Sequence, residues 1–187
     1  MESLQEIYDR YAMNKEENNG GTDKGHWHSY IGPYGDLFAG RRTSVTTMLE
    51  IGILHGSSML MWRDYFPNAD VYGLDAMELP LVPQYDGIRM ARIIADSTDK
   101  QALDENLASL KFDIIIDDGS HRCEDQIITF NYLFGRLKPA GIYVIEDIAD
   151  IDRDWRVLQS LGGGAQIIDL RAMKGRFDDI LVVVRKQ

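Results

Sequence analysis

One ten-residue stretch in the middle of the chain constrains the fold more than any other part. Residues 112–121 begin as an isoleucine-rich apolar run and end in Asp117-Asp118-Gly119-Ser120-His121. Apolar runs of this kind fill strands that are buried on both faces of a parallel sheet. Because open α/β sheets bind ligands at the carboxyl ends of their strands, we expect these polar residues at a binding edge.

A second apolar run ends in the same way further along the chain. Residues 141–145 lead directly into Glu146 and Asp147. If the two strands are neighbours, up to four carboxylates and one histidine meet at one edge of the sheet. Unpaired acids repel one another and raise each other's pKa. A hard divalent cation, which takes oxygen ligands, is the simplest group to hold them together.

Strands and helices alternate along the rest of the sequence. The predicted strands cover residues 46–51, 70–75, 90–95, 112–117, 141–147, 166–170 and 180–184, and the predicted helices cover residues 4–11, 29–38, 56–66, 99–110, 124–137 and 153–161. Alternation of this kind predicts a parallel sheet covered on both faces. No helix is predicted between the last two strands, which favours an antiparallel pair. The expected fold is a Rossmann-like α/β domain spanning residues 1–187. Its seven-stranded sheet is mostly parallel, with helices on both faces and an antiparallel pair at one edge.

Residues 1–45 are predicted to form N-terminal helices and a lid loop. The segment 14–25 is polar and rich in glycine, and His26, His28 and Tyr30 follow it. These three side chains either line a ligand pocket or pack at the surface, and the sequence leaves both alternatives open. Glycines provide mobility and aromatic rings provide contact, so residues 22–30 are predicted to close over bound ligands.

Composition excludes several classes of partner. The chain has 187 residues, enough for one domain with a full core, and a formal net charge of −10. That charge argues against nucleic acid and against a membrane surface, since both attract a basic face. Cys123 is the only cysteine, so no internal disulfide forms and a reducing, cytoplasmic location is expected. No apolar run spans a bilayer, and the acidic N-terminus lacks the features of a signal peptide.

The turn after the first strand is typical of a ligand-binding loop. It reads Glu50-Ile51-Gly52-Ile53-Leu54-His55-Gly56-Ser57. Glycine lets the backbone approach a ligand closely, and the start of the next helix offers free N–H groups. Leu54 stands where the dinucleotide fingerprint requires glycine, which disfavours a nicotinamide dehydrogenase. Glu50 would repel a pyrophosphate but suits the ammonium group of a ligand that carries an amino acid. A tight turn without a ligand remains the alternative.

Three further positions have both a functional and a structural interpretation. Asp75 ends the second strand, where an acid hydrogen-bonds ribose hydroxyls in nucleoside-binding folds, although a turn cap is the alternative. Asp96 and Ser97 end the third strand and either meet an adenine edge or cap the next helix. His121 is a general base, a metal ligand or a helix cap, and its place at the binding edge favours a functional role.

On these residues, the chain resembles class I S-adenosylmethionine-dependent methyltransferases. The Glu-x-Gly turn, the acid that ends the second strand, the Asp-Ser pair and the final antiparallel strands carry the resemblance. Within that class it is similar to the metal-dependent sugar O-methyltransferases of macrolide pathways and to cephalosporin hydroxylase-like proteins. The segments that carry this second resemblance are residues 22–25, 50–57, 117–121 and 146–147. The macrolide enzymes have a large N-terminal auxiliary domain that residues 1–187 do not contain, which leaves the acceptor open.

The resemblance implies a function and a set of site residues. The implied activity is Mg²⁺-dependent (or Mn²⁺-dependent) O-methylation of a hydroxyl on a sugar or another small natural product. Asp118, Glu146 and Asp147 would bind the metal, and His121 would act as the base. The residues expected to bind S-adenosylmethionine are Glu50, Gly52, His55, Gly56, Ser57, Asp75, Asp96, Ser97 and Asp117.

Two other functions remain open from the sequence. A metal-dependent hydrolase would use the same acids and histidine, with a metal-bound water as nucleophile. A protein that binds S-adenosylmethionine without turnover would need no role for His121. The sequence leaves the oligomeric state open as well, including a homo-oligomer.

Overall fold

A seven-stranded sheet forms the centre of the computed structural model, which describes residues 1–12 and 20–187. The strands are β1 (Thr47–Ile51), β2 (Asp70–Asp75), β3 (Met90–Ile94), β4 (Phe112–Asp117), β5 (Leu137–Ile145), β6 (Gln166–Asp169) and β7 (Ile180–Arg185). Their order is β3-β2-β1-β4-β5-β7-β6. Strands β1 to β5 pair in parallel, whereas β7 is antiparallel to both β5 and β6. The predicted fold class is confirmed.

Helices cover both faces of the sheet. They are α1 (Leu4–Tyr11), α2 (Ile31–Phe38), α3 (Ser57–Tyr65), α4 (Lys100–Leu107), α5 (Cys123–Leu133), α6 (Ile151–Ser160) and α7 (Arg171–Lys174). Alternate residues of a strand point to opposite faces. Accordingly Ile114 and Ile116 pack in the core under α1, α2 and α3, while Ile115 packs in the core under α4, α5 and α6. The isoleucine run is therefore buried on both sides, as predicted.

The start of β5 differs from the prediction. The strand begins at Leu137 rather than at residue 141, and it ends at Ile145, directly before the two acids. Leu137 lies opposite Phe112 and Ile142 lies opposite Ile114, so the residues between them form a bulge that contains Pro139. Proline donates no ladder hydrogen bond and is tolerated at bulges. In the sequence the same residue reads as a break between a helix and a strand.

The connection between β6 and β7 also differs from the prediction. It contains the four-residue helix α7, although the two strands are antiparallel as expected. The backbone N–H of Arg171 donates to the carboxylate of Asp169 at 3.1 Å, which supports the first turn of this helix. A single turn is too short to show a helical period in the sequence.

The strand registers bring the predicted polar residues to one edge. Ile51 pairs with both Leu74 and Asp117, and Asp117 pairs with Ile145, so β1, β2, β4 and β5 end side by side. The residues that follow these strands therefore share the carboxyl edge of the sheet. Separately, no helix within residues 1–12 and 20–187 is long and apolar enough to cross a membrane.

Candidate active site

A cavity of about 470 Å³ lies at the carboxyl edge of the sheet. Its volume falls within the range of about 300–1,000 Å³ that is usual for small-molecule sites. Eight of the predicted site residues line it: Gly52, His55, Ser57, Asp75, Asp96, Ser97, Asp118 and His121. Residues 20–24 of the N-terminal segment form a further part of its wall.

Gly52 and Asp75 both have a structural role in the turn that follows β1. Gly52 has φ +78°, and a Cβ atom there would lie 1.8 Å from the backbone oxygen of Asp118, so the close approach of β1 and β4 requires glycine. One oxygen of Asp75 accepts hydrogen bonds from the N–H groups of Ile53 and Leu54, each at 3.0 Å. Asp75 therefore holds the turn and also faces the cavity, while its contact with a ribose remains a prediction.

Asp96 and Ser97 lie on the cavity wall and do not cap the following helix. The N-cap of α4 is Asp99, so that alternative is wrong. One oxygen of Asp96 instead accepts hydrogen bonds from the backbone N–H and the hydroxyl of Thr98, at 2.8 and 2.7 Å. The Ser97 hydroxyl lies 3.0 Å from the Thr129 hydroxyl. Their predicted contact with an adenine ring remains a prediction.

The structure does not bring Glu50, Gly56 or Asp117 to the cavity wall. Glu50 is fully buried, and it accepts hydrogen bonds from Ser58 at 2.7 Å and Trp62 at 3.2 Å. Gly56 is the N-cap of α3. Asp117 is buried as well. Glu50 and Asp117 lie at the predicted end of their strands, but their side chains point into the protein, where they are buried. The geometry gives no support to a direct contact between any of the three and a cofactor.

Burial of Asp117 predicts a pH-dependent stability. Burial raises the pKa of this carboxyl from 3.8 to about 7. The unfolded chain therefore loses this proton at lower pH than the folded protein, and stability falls as pH rises from about 4 through 7. In metal-free buffer, Asp117→Asn should match wild type near pH 4 and exceed it at pH 8 by about 1–3 kcal/mol in urea unfolding.

Asp113 provides the matched control for that experiment. Its pKa is lowered in spite of partial burial, because Lys138 and the N–H groups of Thr46 and Thr47 bind the ionised form. Asp113→Asn should therefore lose stability at pH 8 rather than gain it. A stability difference between Asp117→Asn and wild type that does not vary with pH would show that the pKa of Asp117 is the same in the folded and the unfolded protein.

Four carboxylates converge beside the cavity and are called here the acid cluster: Glu50, Asp118, Glu146 and Asp147. The ammonium of Lys24 lies among them, 2.7 Å from Asp118, 2.8 Å from Glu146 and 3.4 Å from Glu50. Burial opposes the charged form of Lys24, but these three acids outweigh it and hold the lysine pKa well above its usual value. Asp118, Glu146 and Asp147 meet as predicted, but the fourth acid is Glu50 rather than Asp117, and the lysine was not predicted.

Two tyrosines and a histidine from the N-terminal segment also contact the acid cluster. The Tyr34 hydroxyl donates to Glu146 and the Tyr30 hydroxyl to Asp147, each at 2.5 Å. The ring of buried His28 lies 3.2 Å from Asp147. His28 and Tyr30 are thus buried against an acid rather than placed on the cavity wall or the surface, whereas His26 is exposed.

His121 lies between two members of the acid cluster. Its Nε2 is 3.1 Å from Asp118 and its Nδ1 is 3.6 Å from Asp147, and the side chain is 42% exposed. The helix-cap alternative is wrong, because the N-cap of α5 is Arg122. The hydrogen bond with Asp118 raises the pKa of His121 to about 9. His121 and Asp147 both have left-handed backbones, at φ +57° and +55°. Strain of this kind concentrates at functional sites.

The acid cluster fits a divalent cation. Asp118, His121 and Asp147 each offer a ligand atom, and these atoms lie within 4.8 Å of one another. Burial, followed by the charge of Asp118, raises the pKa of Asp147 to about 6, and burial also raises that of Glu146. Lys24 and His121 therefore do not stabilise the ionised forms of Asp147 and Glu146 enough to offset their burial. Oxygen donors at close range suit Mg²⁺ or Mn²⁺. The ligand atoms that meet here belong to Asp118, His121 and Asp147, whereas the oxygens of Glu146 contact Lys24 and Tyr34. The predicted metal ligands Asp118, Glu146 and Asp147 therefore remain a prediction.

Comparison with known proteins points to one group. No protein-family model matches the chain. It is 35% identical over 136 residues to 8-demethyl-8-alpha-L-rhamnosyl tetracenomycin-C 2'-O-methyltransferase of Streptomyces olivaceus, an alignment that covers 68% of the chain and 35% of the relative. It is 36% identical over 132 residues to mycinamicin VI 2''-O-methyltransferase of Micromonospora griseorubida, covering 66% of the chain and 32% of the relative.

A solved structure agrees with these relatives. The structure of the MycE methyltransferase from the mycinamycin pathway, in complex with Mg, SAH and mycinamycin VI, superimposes with a TM-score of 0.67 and 31% identity. The match covers 83% of this chain and 39% of MycE. The chain spans about a third of the length of the curated relatives that it matches.

Proposed function

We propose that this chain, which belongs to the class I S-adenosylmethionine-dependent methyltransferases, methylates a hydroxyl of a sugar or another small natural product. Its similarity to sugar O-methyltransferases supports this acceptor. One observation carries the proposal: the cavity adjoins the acid cluster. Asp118, a member of the cluster, lines the cavity, and so does His121, which contacts Asp118. A ligand in the cavity would therefore lie beside a group of acids that fits a metal.

The cavity residues are proposed to bind S-adenosylmethionine across the ends of β1, β2 and β4. Gly52 lets the ends of β1 and β4 approach each other beside the ligand, Asp75 would contact the ribose, and Asp96 and Ser97 would contact the adenine. The methyl group of this donor is already activated, so holding donor and acceptor in line provides much of the acceleration. The MycE structures, which are complexes with Mg and SAH, support this choice of cofactors.

His121 is proposed to take the proton from the acceptor hydroxyl. A base must be neutral, yet the hydrogen bond with Asp118 favours the charged form of the ring. A divalent cation on Asp118, Glu146 and Asp147 would draw the same carboxylates and would lower the pKa of His121 toward its usual value. The bound metal would also supply Lewis acidity toward the acceptor hydroxyl.

Calorimetric titration with S-adenosylhomocysteine tests the cofactor site. We expect wild type to bind, and Asp75→Ala to weaken binding by about 1–3 kcal/mol because hydrogen-bonding groups lose their partner. Asp113→Ala is the matched control. Asp113 also accepts two backbone N–H groups, from Thr46 and Thr47 at 2.8 and 3.0 Å, but it lies at the start of β4, away from the cavity.

The control variant separates a lost ligand contact from a general loss of stability. Asp113→Ala should destabilise the protein while leaving the affinity for S-adenosylhomocysteine unchanged. Equal affinity of Asp75→Ala and wild type would argue against the placement of the ribose. Absence of binding by wild type would contradict the proposed function itself and would favour a hydrolase.

The remaining expectations about organisation are also proposals. We infer that residues 1–187 act as one domain, supported by the packing of α1 against α2 and α3. The net charge of −10 supports a small-molecule acceptor rather than nucleic acid or a membrane surface, and the single cysteine supports a cytoplasmic location. Self-association remains a prediction that sedimentation would test.

A further inference from the structure

We propose that Lys24 is a positioning residue, whose ammonium fills a cation subsite formed by Glu50, Asp118 and Glu146 and thereby docks residues 20–30 against the active site. This inference rests on the proposed function, because it concerns the same acid cluster. It adds a monovalent, protein-supplied cation to the divalent cation proposed above.

Lys24 is buried, so its ammonium is needed to compensate the charge of the acids around it. The side chain is 1% exposed, and its ammonium contacts acids that follow or lie within three different strands: β1, β4 and β5. Both oxygens of Glu146 lie within 2.9 Å of the nitrogen. Removing one partner of a buried ion pair leaves an uncompensated charge, which is far more costly than losing an ion pair at the surface.

Asp118 divides its two oxygens between two cations. One oxygen lies 2.7 Å from the Lys24 ammonium, and the other lies 3.1 Å from Nε2 of His121. The lysine therefore fixes the carboxylate plane of Asp118 and leaves the second oxygen directed toward His121 and Asp147. In this way Lys24 sets the orientation of a proposed metal ligand.

The backbone on each side of Lys24 is anchored so that the side chain reaches inward. The N–H of Thr22 donates to the carbonyl of Tyr11 at 2.8 Å. A Cβ atom on Gly25 would lie 2.6 Å from the ring of Tyr8 and 2.8 Å from Ile31, so this position allows only glycine. The same segment forms one wall of the cavity, and the Ser57 hydroxyl donates to the carbonyl of Gly20. Docking of Lys24 therefore completes the cavity.

Amide hydrogen exchange of residues 20–30, measured in the protein of residues 1–187, tests the inference. Lys24→Ala should accelerate exchange in this segment by about tenfold or more, the scale expected for a lost charged hydrogen bond. Because Lys24 lines the cavity, a small amine can reach the vacated subsite, and methylammonium should restore protection. Lys138→Ala is the matched control, since Lys138 pairs with Asp113 at the opposite edge of the sheet and should leave this segment unchanged.

Two results of the exchange experiment would overturn the proposed role of Lys24. Unchanged exchange in Lys24→Ala would show that other contacts dock the segment, and faster exchange without rescue would show that the lysine stem, not its charge, is required. If circular dichroism shows that Lys24→Ala does not fold, the double variant Lys24→Ala with Glu50→Gln removes one buried charge of each sign and takes its place. Titration of wild type with S-adenosylhomocysteine reports separately on the proposed function.

Discussion

Chelation of divalent cations with EDTA is expected to abolish methyl transfer while S-adenosylhomocysteine still binds, and Mg²⁺ or Mn²⁺ is expected to restore transfer. We expect the cavity residues to bind the cofactor without a metal. We expect the acid cluster to bind one, since burial and the charge of Asp118 raise the pKa of Asp147 to about 6 and a cation would favour its ionised form. Transfer of a labelled methyl group to a panel of glycosylated natural products measures the loss and the recovery of activity. Calorimetry measures the binding of S-adenosylhomocysteine.

Glu146→Gln sharpens this prediction. The substitution removes one ligand charge at nearly constant shape and should raise the Mn²⁺ concentration needed for half-maximal transfer by at least about 10–100-fold, the loss seen when even outer partners of a metal site are removed. Glu124→Gln is the control, because Glu124 is exposed in the first turn of α5. Full methyl transfer in EDTA would show that the acids serve only to hold the structure.

Substitution of His121 should give the second large effect. His121→Asn should lower turnover by about 10²–10⁴-fold, the usual contribution of a positioned base, with little change in affinity for S-adenosylhomocysteine or Mn²⁺. Asparagine is preferred to alanine here because it tolerates the left-handed backbone that His121 adopts at φ +57°. Steady-state kinetics and calorimetry on the same preparation measure both quantities.

The exposed His26 provides the control for that experiment, since His26→Ala should leave turnover unchanged. Two outcomes would assign His121 differently. Turnover at the level of wild type would make it a structural residue. Loss of Mn²⁺ binding would make it a metal ligand, a role that its distance of 3.1 Å from Asp118 also permits.

The fold and the edge that carries the site could be predicted because both depend on local patterns. The apolar run 112–117 has the length of a buried strand, and alternation with helices implies a parallel sheet. Parallel strands place their carboxyl ends together, so the meeting of Asp118 with Glu146 and Asp147 followed from topology. The bulge at Pro139 could not be predicted, because it depends on how β5 pairs with β4.

The cation and the hydroxyls that contact the acid cluster could not be predicted from spacing. Lys24 reaches residues that are 94 and 122 positions away, and Tyr30 and Tyr34 reach Asp147 and Glu146 across similar separations. Two features of the sequence could have indicated a buried lysine: the motif at residues 22–25, which contains Lys24, and the excess of acids at the carboxyl edge of the sheet. The role of Glu50 could not be predicted either. Its position near the end of a strand does not reveal whether its carboxylate faces a cavity or a buried lysine.

The most direct test of the central claim is a crystal structure of this protein with S-adenosylhomocysteine and Mn²⁺, with anomalous diffraction used to locate the metal. We expect one anomalous peak within coordination distance of Asp118, Glu146 and Asp147, and the cofactor across the ends of β1, β2 and β4 with its ribose on Asp75. A cofactor bound elsewhere, or an acid cluster without an anomalous peak at saturating Mn²⁺, would contradict it.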